Sequence, residues 1–173
     1  SSPTRASCCA RAPERVPMGA RCTRPAARPR LASVTLHIYD VGTSDQVKQV
    51  NNVLRPLGLG AFHTGVEVYG WEWSFQDSLN PEGTGIFRCI PRTSEGHVYR
   101  EAVFMGMTAA SEAEVQAIIS ELEKRWLGKL YDVLTMNCCH FSDELCKKLG
   151  VGTVPAWVLS LAGAGAALVG GGG

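Results

Sequence analysis

The sequence predicts an α+β fold, a small antiparallel sheet packed against helices. Three observations carry it. Short runs with strand character, Val34–Val41, Phe62–Phe75, Gly85–Ile90 and Glu101–Met107, come first. One long stretch with helical spacing follows, from Ser111 to Gly128, and a shorter one runs from Asn137 to Gly150. Strands gathered ahead of helices are the order of an α+β domain.

In Val34–Val41, Val34, Leu36, Ile38 and Asp40 alternate with Thr35, His37, Tyr39 and Val41, as in a strand with both faces partly covered. His37 is expected at the surface or at an edge. Asp45 to Leu54 reads as a short helix or loop, ended by Pro56, Gly58 and Gly60. Phe62–Tyr69 and Trp71–Phe75 read as a hairpin around Gly70. His63, Gly65 and Glu67 share one face of its first strand, and Thr64, Val66 and Val68 the other. Gly65 beside His63 leaves room for a second backbone or a substrate to approach. A polar loop with Pro81 and Gly83 leads to Gly85–Ile90, which Pro91 stops. His97 reads as a loop residue without a role, and Glu101–Met107 as a further strand.

The helix that follows has Ser111 as its cap and Glu114 completing a capping box. Val115, Ile118, Ile119, Leu122 and Trp126 form its core stripe, and Gly128 is expected to close it. Tyr131–Leu134 leads into the second helix, which Asn137 caps. There Cys138, Phe141, Leu145 and Leu149 share the buried face. Cys139, about 100° around the axis, is expected to turn away with Cys146. After Lys148 no charge remains. Pro155–Leu161 suits a short helix, followed by a flexible Ala/Gly-rich tail over 162–173. The apolar part of this region falls short of the roughly 20 residues that span a bilayer.

The 173 residues suit one domain with tails. The net charge of +1 conceals a division: seven arginines and one acid, Glu14, lie within residues 1–32. Residues 33–173 therefore hold ten basic and fifteen acidic side chains, a balance that gives no support to nucleic-acid binding. Residues 1–32, with five prolines, read as a disordered Arg/Pro-rich tail. The same segment has the basic, acid-poor character of an organelle transit peptide. Met18-Gly19-Ala20-Arg21-Cys22-Thr23 fits an N-myristoylation pattern if translation starts at Met18, and with it goes an expectation of peripheral membrane contact. A solvated tail is the reading preferred over either signal. Seven cysteines, without a C-x-x-C pair or a secretory signal, lead to an expectation of reduced thiols inside the cell.

Cys138 stands in the first turn of a helix, where free N–H groups and the helix dipole favour a thiolate. A histidine within hydrogen-bond reach would make it a catalyst, and His63 is the expected supplier. Zinc is a poor reading of Cys138, Cys139 and His140, because adjacent helical residues point about 100° apart. No metal and no cofactor is expected.

Val34–Asp40, Gly60–Phe75, Gly85–Pro91, Glu101–Met107 and Lys129–Trp157 together resemble the PPPDE family of papain-like, circularly permuted cysteine peptidases. Within it the likeness is to desumoylating isopeptidases of the second type. The resemblance covers about residues 33–161. His63-Thr64-Gly65-Val66-Glu67-Val68-Tyr69-Gly70 matches the family's histidine motif. Its cysteine motif, Asn-Cys-Asn-His-Phe-Ser, is matched by Asn137, Cys138, His140, Phe141 and Ser142, with Cys139 departing from Asn. Pro155-Ala156-Trp157 matches the closing Pro-x-Trp. The resemblance implies Cys138 as nucleophile and His63 as general base, with the backbone N–H of Cys138 as oxyanion donor. Glu67, Trp71 and Asn137 are candidates for a substrate groove, and Asp40 a weak one for orienting His63. The implied reaction is removal of a ubiquitin-like modifier, SUMO or ubiquitin, from lysines of protein conjugates, in the cytoplasm and also the nucleus. A thioesterase or phospholipase/acyltransferase with the same Cys-His pair is the alternative. An inactive binding module, suggested by Cys139, ranks third.

Overall fold

The computed structural model describes residues 30–41, 62–78, 80 and 82–159. Five strands form one antiparallel sheet in the order β4-β3-β2-β1-β5. They are β1 (Ala32–Val41), β2 (Phe62–Val68), β3 (Trp71–Phe75), β4 (Ile86–Cys89) and β5 (His97–Thr108). Two helices follow, α1 (Glu112–Glu123) and α2 (Cys138–Lys148), and a helical turn at 156–159. The α+β class is as the sequence predicts. The segment Asp45–Leu54 and most of both tails lie outside the described residues. No described helix is long and apolar enough to cross a membrane.

The β2–β3 hairpin turns at Tyr69 and Gly70, both at positive φ (52° and 76°), as a two-residue turn of this twist requires. Glycine adopts that geometry freely. Tyr69 is tethered by its hydroxyl, which donates to Ala110 O at 2.8 Å.

Alternation divides the sheet into two buried faces. Val34, Leu36, Ile38, Val66 and Phe75 point to one, where Val115, Ile119 and Leu122 of α1 and Phe141 and Leu145 of α2 close the core. Phe75 lies edge-on to Trp126, 4.8 Å between ring centroids, and Trp126 edge-on to Phe141 at 5.4 Å. A fully buried side chain of this size contributes about 1.5–3 kcal/mol relative to exposure. The capping box at Ser111 forms as expected, with Ser111 Oγ and the Glu114 carboxylate each accepting the other's backbone N–H.

The other face is polar and equally closed. The Tyr39 hydroxyl donates to the Glu72 carboxylate, 2.8 Å from either oxygen, and Arg92 N–H reaches the same group at 2.8 Å. Burial first, then the hydrogen bond to Glu72, pushes proton loss from Tyr39 far up, so the phenol stays neutral. Gly65 makes room for this carboxylate: a Cβ there would lie 2.3 Å from Glu72 Oε1. The space beside His63 thus goes to a side chain, where the sequence reading put a second backbone or a substrate.

Three further expectations need correction. His37 is fully buried, its Nε2 2.7 Å from the Glu67 carboxylate, because β1 is the second strand from the β5 edge and is covered on both faces. The first helix stops at Glu123, with Lys124 as its C-cap, short of Gly128. Trp126 keeps its place in the core, and its Nε1–H donates to Glu144 at 3.2 Å. Gly128 opens a 3-10 turn instead, packed so closely that a Cβ would meet Ser78 Cβ at 2.2 Å. Finally, His97 is the first residue of β5, paired with Val41, because that strand starts four residues earlier than its apolar part suggests.

Candidate active site

The site grows from a gap in the sheet. β2 pairs with β3 only from Val66↔Trp73 to Val68↔Trp71. Upstream of Val66, the main-chain groups of β2 that face β3 find side chains instead. Thr64 O accepts the Ser74 hydroxyl at 2.6 Å. Phe62 O lies 3.9 Å from Cys138 Sγ and 4.0 Å from Cys139 Sγ. The end of α2 fills the gap, held by a 3.0 Å hydrogen bond between Thr64 Oγ1 and Ser142 Oγ. Trp157 packs edge-on against Phe62 at 5.8 Å, so the closing Pro-x-Trp braces the strand residue that meets both thiols.

Asn137 caps α2. Its Oδ1 accepts the N–H groups of Cys139 (2.9 Å) and His140 (3.2 Å), and its amide donates to Val133 O at 2.6 Å. Phe141 N–H closes on Asn137 O at 3.0 Å. None of these bonds uses the Cys138 N–H, the first of the orphan donors at this helix end.

Cys138 is buried, yet its thiol is held well below the usual range. A hydrogen bond from the Cys139 thiol is the largest cause. Burial opposes it, while a hydrogen bond and positive charge from His63 and the Thr64 N–H add to it. Cys139 is pushed well above the usual range because it donates to Cys138 and because it is buried. Cys139 therefore faces inward, contrary to the expected outward turn. Cys146, on the same side of α2 two turns later and expected to turn away with it, is fully buried as well, so α2 is covered on this side as well as on the Phe141–Leu145 side. Burial, followed by the charges of the two thiols, pushes proton loss from Tyr131 up.

His63 sits on the polar face, nearly buried. Its Nε2 lies 3.2 Å from Ser74 Oγ. Its ring stacks on His97, 4.2 Å between centroids and 15° between planes, with Phe87 near-parallel at 6.2 Å. His97 is pushed down, first by burial and then by repulsion from His63, with the Cys138 thiolate pulling the other way. His97 thus joins the site, and its Nδ1 has no partner among the described residues. Alternation in the sequence does not lead to it, because the register shift between Ile38↔Glu101 and Tyr39↔Tyr99 puts His97 and Tyr99 on the face opposite Glu101. For Ser74 the signal was a small hydroxyl between Trp73 and Phe75 in a covered strand.

The structure brings Cys138 and His63 together, with Asn137 directly before the cysteine. Glu67 holds His37, and Trp71 lies partly exposed beneath the Arg88 guanidinium, 4.3 Å from the ring centroid. Both stand toward the hairpin turn, away from the thiol. Asp40 gives its carboxylate to Arg100 at 3.0 Å. A cavity of about 410 Å³ lies on the outer side of α2, lined by Arg125, Thr135, His140 and Lys147 among others, with neither Cys138 nor His63 in its wall.

Chemically, a buried thiol at a helix N-terminus, held low and beside an imidazole, can attack a carbonyl as the thiolate, with the N–H groups of the helix start able to stabilise the resulting oxyanion. Residues 32–170 match the family model described as "PPPDE putative peptidase domain". The chain belongs to this family. A DeSI-like protein of Arabidopsis thaliana is 30% identical over 78% of this chain and 57% of its own length. A desumoylating isopeptidase 1 homolog of Caenorhabditis elegans is 28% identical over 77% of this chain and 39% of its own length. Desumoylating isopeptidase 1 of Rattus norvegicus is 27% identical over 77% of this chain and 76% of its own length. The match thus spans little more than half of the first relative and less than half of the second. These names speak for the PPPDE family, not for the second type within it.

Proposed function

We infer that this PPPDE domain is a thiol isopeptidase that cuts the bond between the C-terminal glycine of a ubiquitin-like modifier and a lysine. The observation that carries the reading is the Cys138 thiol, buried at the start of α2 and held low by Cys139 and by the neighbouring His63. The names of two relatives, which print desumoylating isopeptidase, favour SUMO conjugates over ubiquitin. The Cys138 thiolate attacks the glycine carbonyl, and the tetrahedral oxyanion takes the Cys138 N–H. His63, protonated, gives its proton to the leaving lysine amine. The resulting thioester is hydrolysed by a water that His63 deprotonates, returning free modifier and thiolate. Cys139 in place of Asn fits an active site, because its thiol donates to the nucleophile as an amide could.

The test is a panel of three probes: SUMO and ubiquitin with electrophilic C-termini, and a fatty-acyl thioester. SUMO labelling that disappears in Cys138→Ala supports the reading. Turnover of the acyl thioester alone would replace it with the acyl-group alternative, and silence toward all three would return it to a binding module.

A further inference from the structure

His63 is on a strand, Cys138 on a helix, and a dyad of this kind works only if the imidazole presents the right nitrogen, without its hydrogen, to the thiol. Histidines in such sites are commonly fixed by a second-side partner. Asp40, the sequence candidate for that role, gives its carboxylate to Arg100.

We propose that Ser74 is the positioning residue: its hydroxyl fixes His63 with hydrogen on Nε2 and leaves Nδ1 to exchange a proton with Cys138. This rests on the proposed Cys138–His63 reading and goes beyond it by naming what orients the base.

A serine hydroxyl has one hydrogen. That of Ser74 goes to Thr64 O, at 2.6 Å the shorter of its two contacts. Toward His63 Nε2, at 3.2 Å, Ser74 Oγ can then only accept, so Nε2 must carry hydrogen. The tautomer follows from the direction of one hydroxyl, and that direction follows from the gap in the β2–β3 ladder. Had the ladder continued past Val66↔Trp73, Thr64 O would face a backbone N–H of β3 and Ser74 would be free to rotate. Ser74 is fully buried, so no water competes for its oxygen.

The ring is also clamped in its plane. His97 covers it at 4.2 Å and 15°, Phe87 lies near-parallel at 6.2 Å, and Tyr39 is tilted against it at 5.8 Å. A 180° flip, the other way to exchange nitrogens, must push these rings aside. His97, held neutral by burial and by His63, adds no positive charge that would expel a proton from its neighbour. When His63 takes the thiol proton, both ring nitrogens carry hydrogen. Ser74 Oγ goes on accepting from Nε2, so the same contact serves both protonation states.

The test reads the ring directly. In Cys138→Ala at alkaline pH, where no thiolate holds a second proton on the ring, the ¹⁵N shifts of His63 should report the Nε2–H form. Ser74→Ala in that background should give a mixture of tautomers. In the chain with Cys138 intact, Ser74→Ala should slow iodoacetamide modification of Cys138 roughly tenfold at neutral pH and move its pH profile upward. Ser74→Thr, which keeps the hydroxyl, should restore both. An Nδ1–H ring in the Cys138→Ala protein, or a Ser74→Ala profile equal to wild type, overturns the proposal. Neither readout needs a substrate. Failure of the isopeptidase reading would appear only in the probe panel, and failure of the Ser74 assignment only in the shifts and the alkylation profile.

Discussion

The two faces of the sheet are both closed to water and are made of opposite materials. One holds Val34, Leu36, Ile38, Val66 and Phe75 against the helices. The other holds His37, Tyr39, His63, Glu72 and Ser74, all buried. A shift of one residue in β1 or β2 would exchange the two sets, because side chains alternate with period two. On the apolar face each side chain stabilises by leaving water. On the polar face each must first recover the cost of desolvation through a partner; the Tyr39–Glu72–Arg92 contacts do so, and the Glu67 contact does so for Nε2 of His37, while its Nδ1 finds no partner among the described residues. His63 and Cys138 meet where the two faces come together, at the open end of the β2–β3 ladder. The stability of the domain and its chemistry are therefore carried by different residues of the same strands.

The sharpest way to break that comparison is to remove the dyad. On the proposed reading, Cys138→Ala should abolish turnover, and His63→Ala should reduce it about 10²–10⁴-fold. Both should leave the melting temperature within a few degrees, since no large apolar group is lost. A His63→Ala protein that unfolds would show that the polar face also carries the fold.

The converse substitution is Phe141→Ala. Phe141 is fully buried, with Trp126 at 5.4 Å and Phe75 at 6.3 Å. The loss should be about 3–5 kcal/mol in urea unfolding, a large share of a small domain's stability. A loss under about 1 kcal/mol would mean that the aromatic cluster repacks and that the apolar face is less decisive than its burial suggests.

Much of this division was legible in the sequence. The alternation of β1 and β2, the hairpin at Gly70 and both helix caps could be read from local pattern, whereas joining His63 to Cys138 drew on the family's two motifs. What could not be read depends on covering and on distance along the chain. Alternation assigns His37 to a face but does not say that the face is covered. His97 reaches His63 only because β5 pairs with β1, placing Tyr99 opposite Tyr39 and so beside His63. The burial of Cys139, like that of Cys146, follows from the covering of a second side of α2, which the angular period of a helix does not express. The role of Ser74 depends on where a strand ladder stops, and no residue pattern marks that point.

A smaller effect follows from the thiols that the dyad does not use. Burial, then the neighbouring Asp143 charge, pushes Cys146 up to about 12. With an unfolded value of about 8.5, the folded thiol resists ionisation that the unfolded chain undergoes. The stability this represents is fully present below the unfolded value and is lost as pH rises from there toward the folded one. The loss should be at most about 1.4 kcal/mol per pH unit, read as the difference in urea stability between mildly and strongly alkaline pH. Cys146→Ser should show a shallower decline than wild type, and an unchanged slope would remove Cys146 as the source. Cys89, pushed up to about 11 by burial and then by Glu72, should likewise stay unalkylated at neutral pH.

The smallest effect concerns Cys139, and it separates two explanations of the depressed Cys138 thiol. One is that the helix end and His63 suffice. The other is that a hydrogen bond from residue 139 is needed, as the largest single cause acting on Cys138. Cys139→Asn restores the family residue and offers an amide N–H in place of S–H. It should keep alkylation of Cys138 and turnover within about threefold of wild type, because one donor replaces another. Cys139→Ala offers none and should move the Cys138 alkylation profile upward in pH. The order of modification in the wild type should be Cys138 first, with Cys139 protected by the proton it shares with its neighbour. Equal behaviour of the Asn and Ala variants would show that His63 and the helix end carry the effect alone, and faster modification of Cys139 than of Cys138 would reverse the assignment of the two thiols.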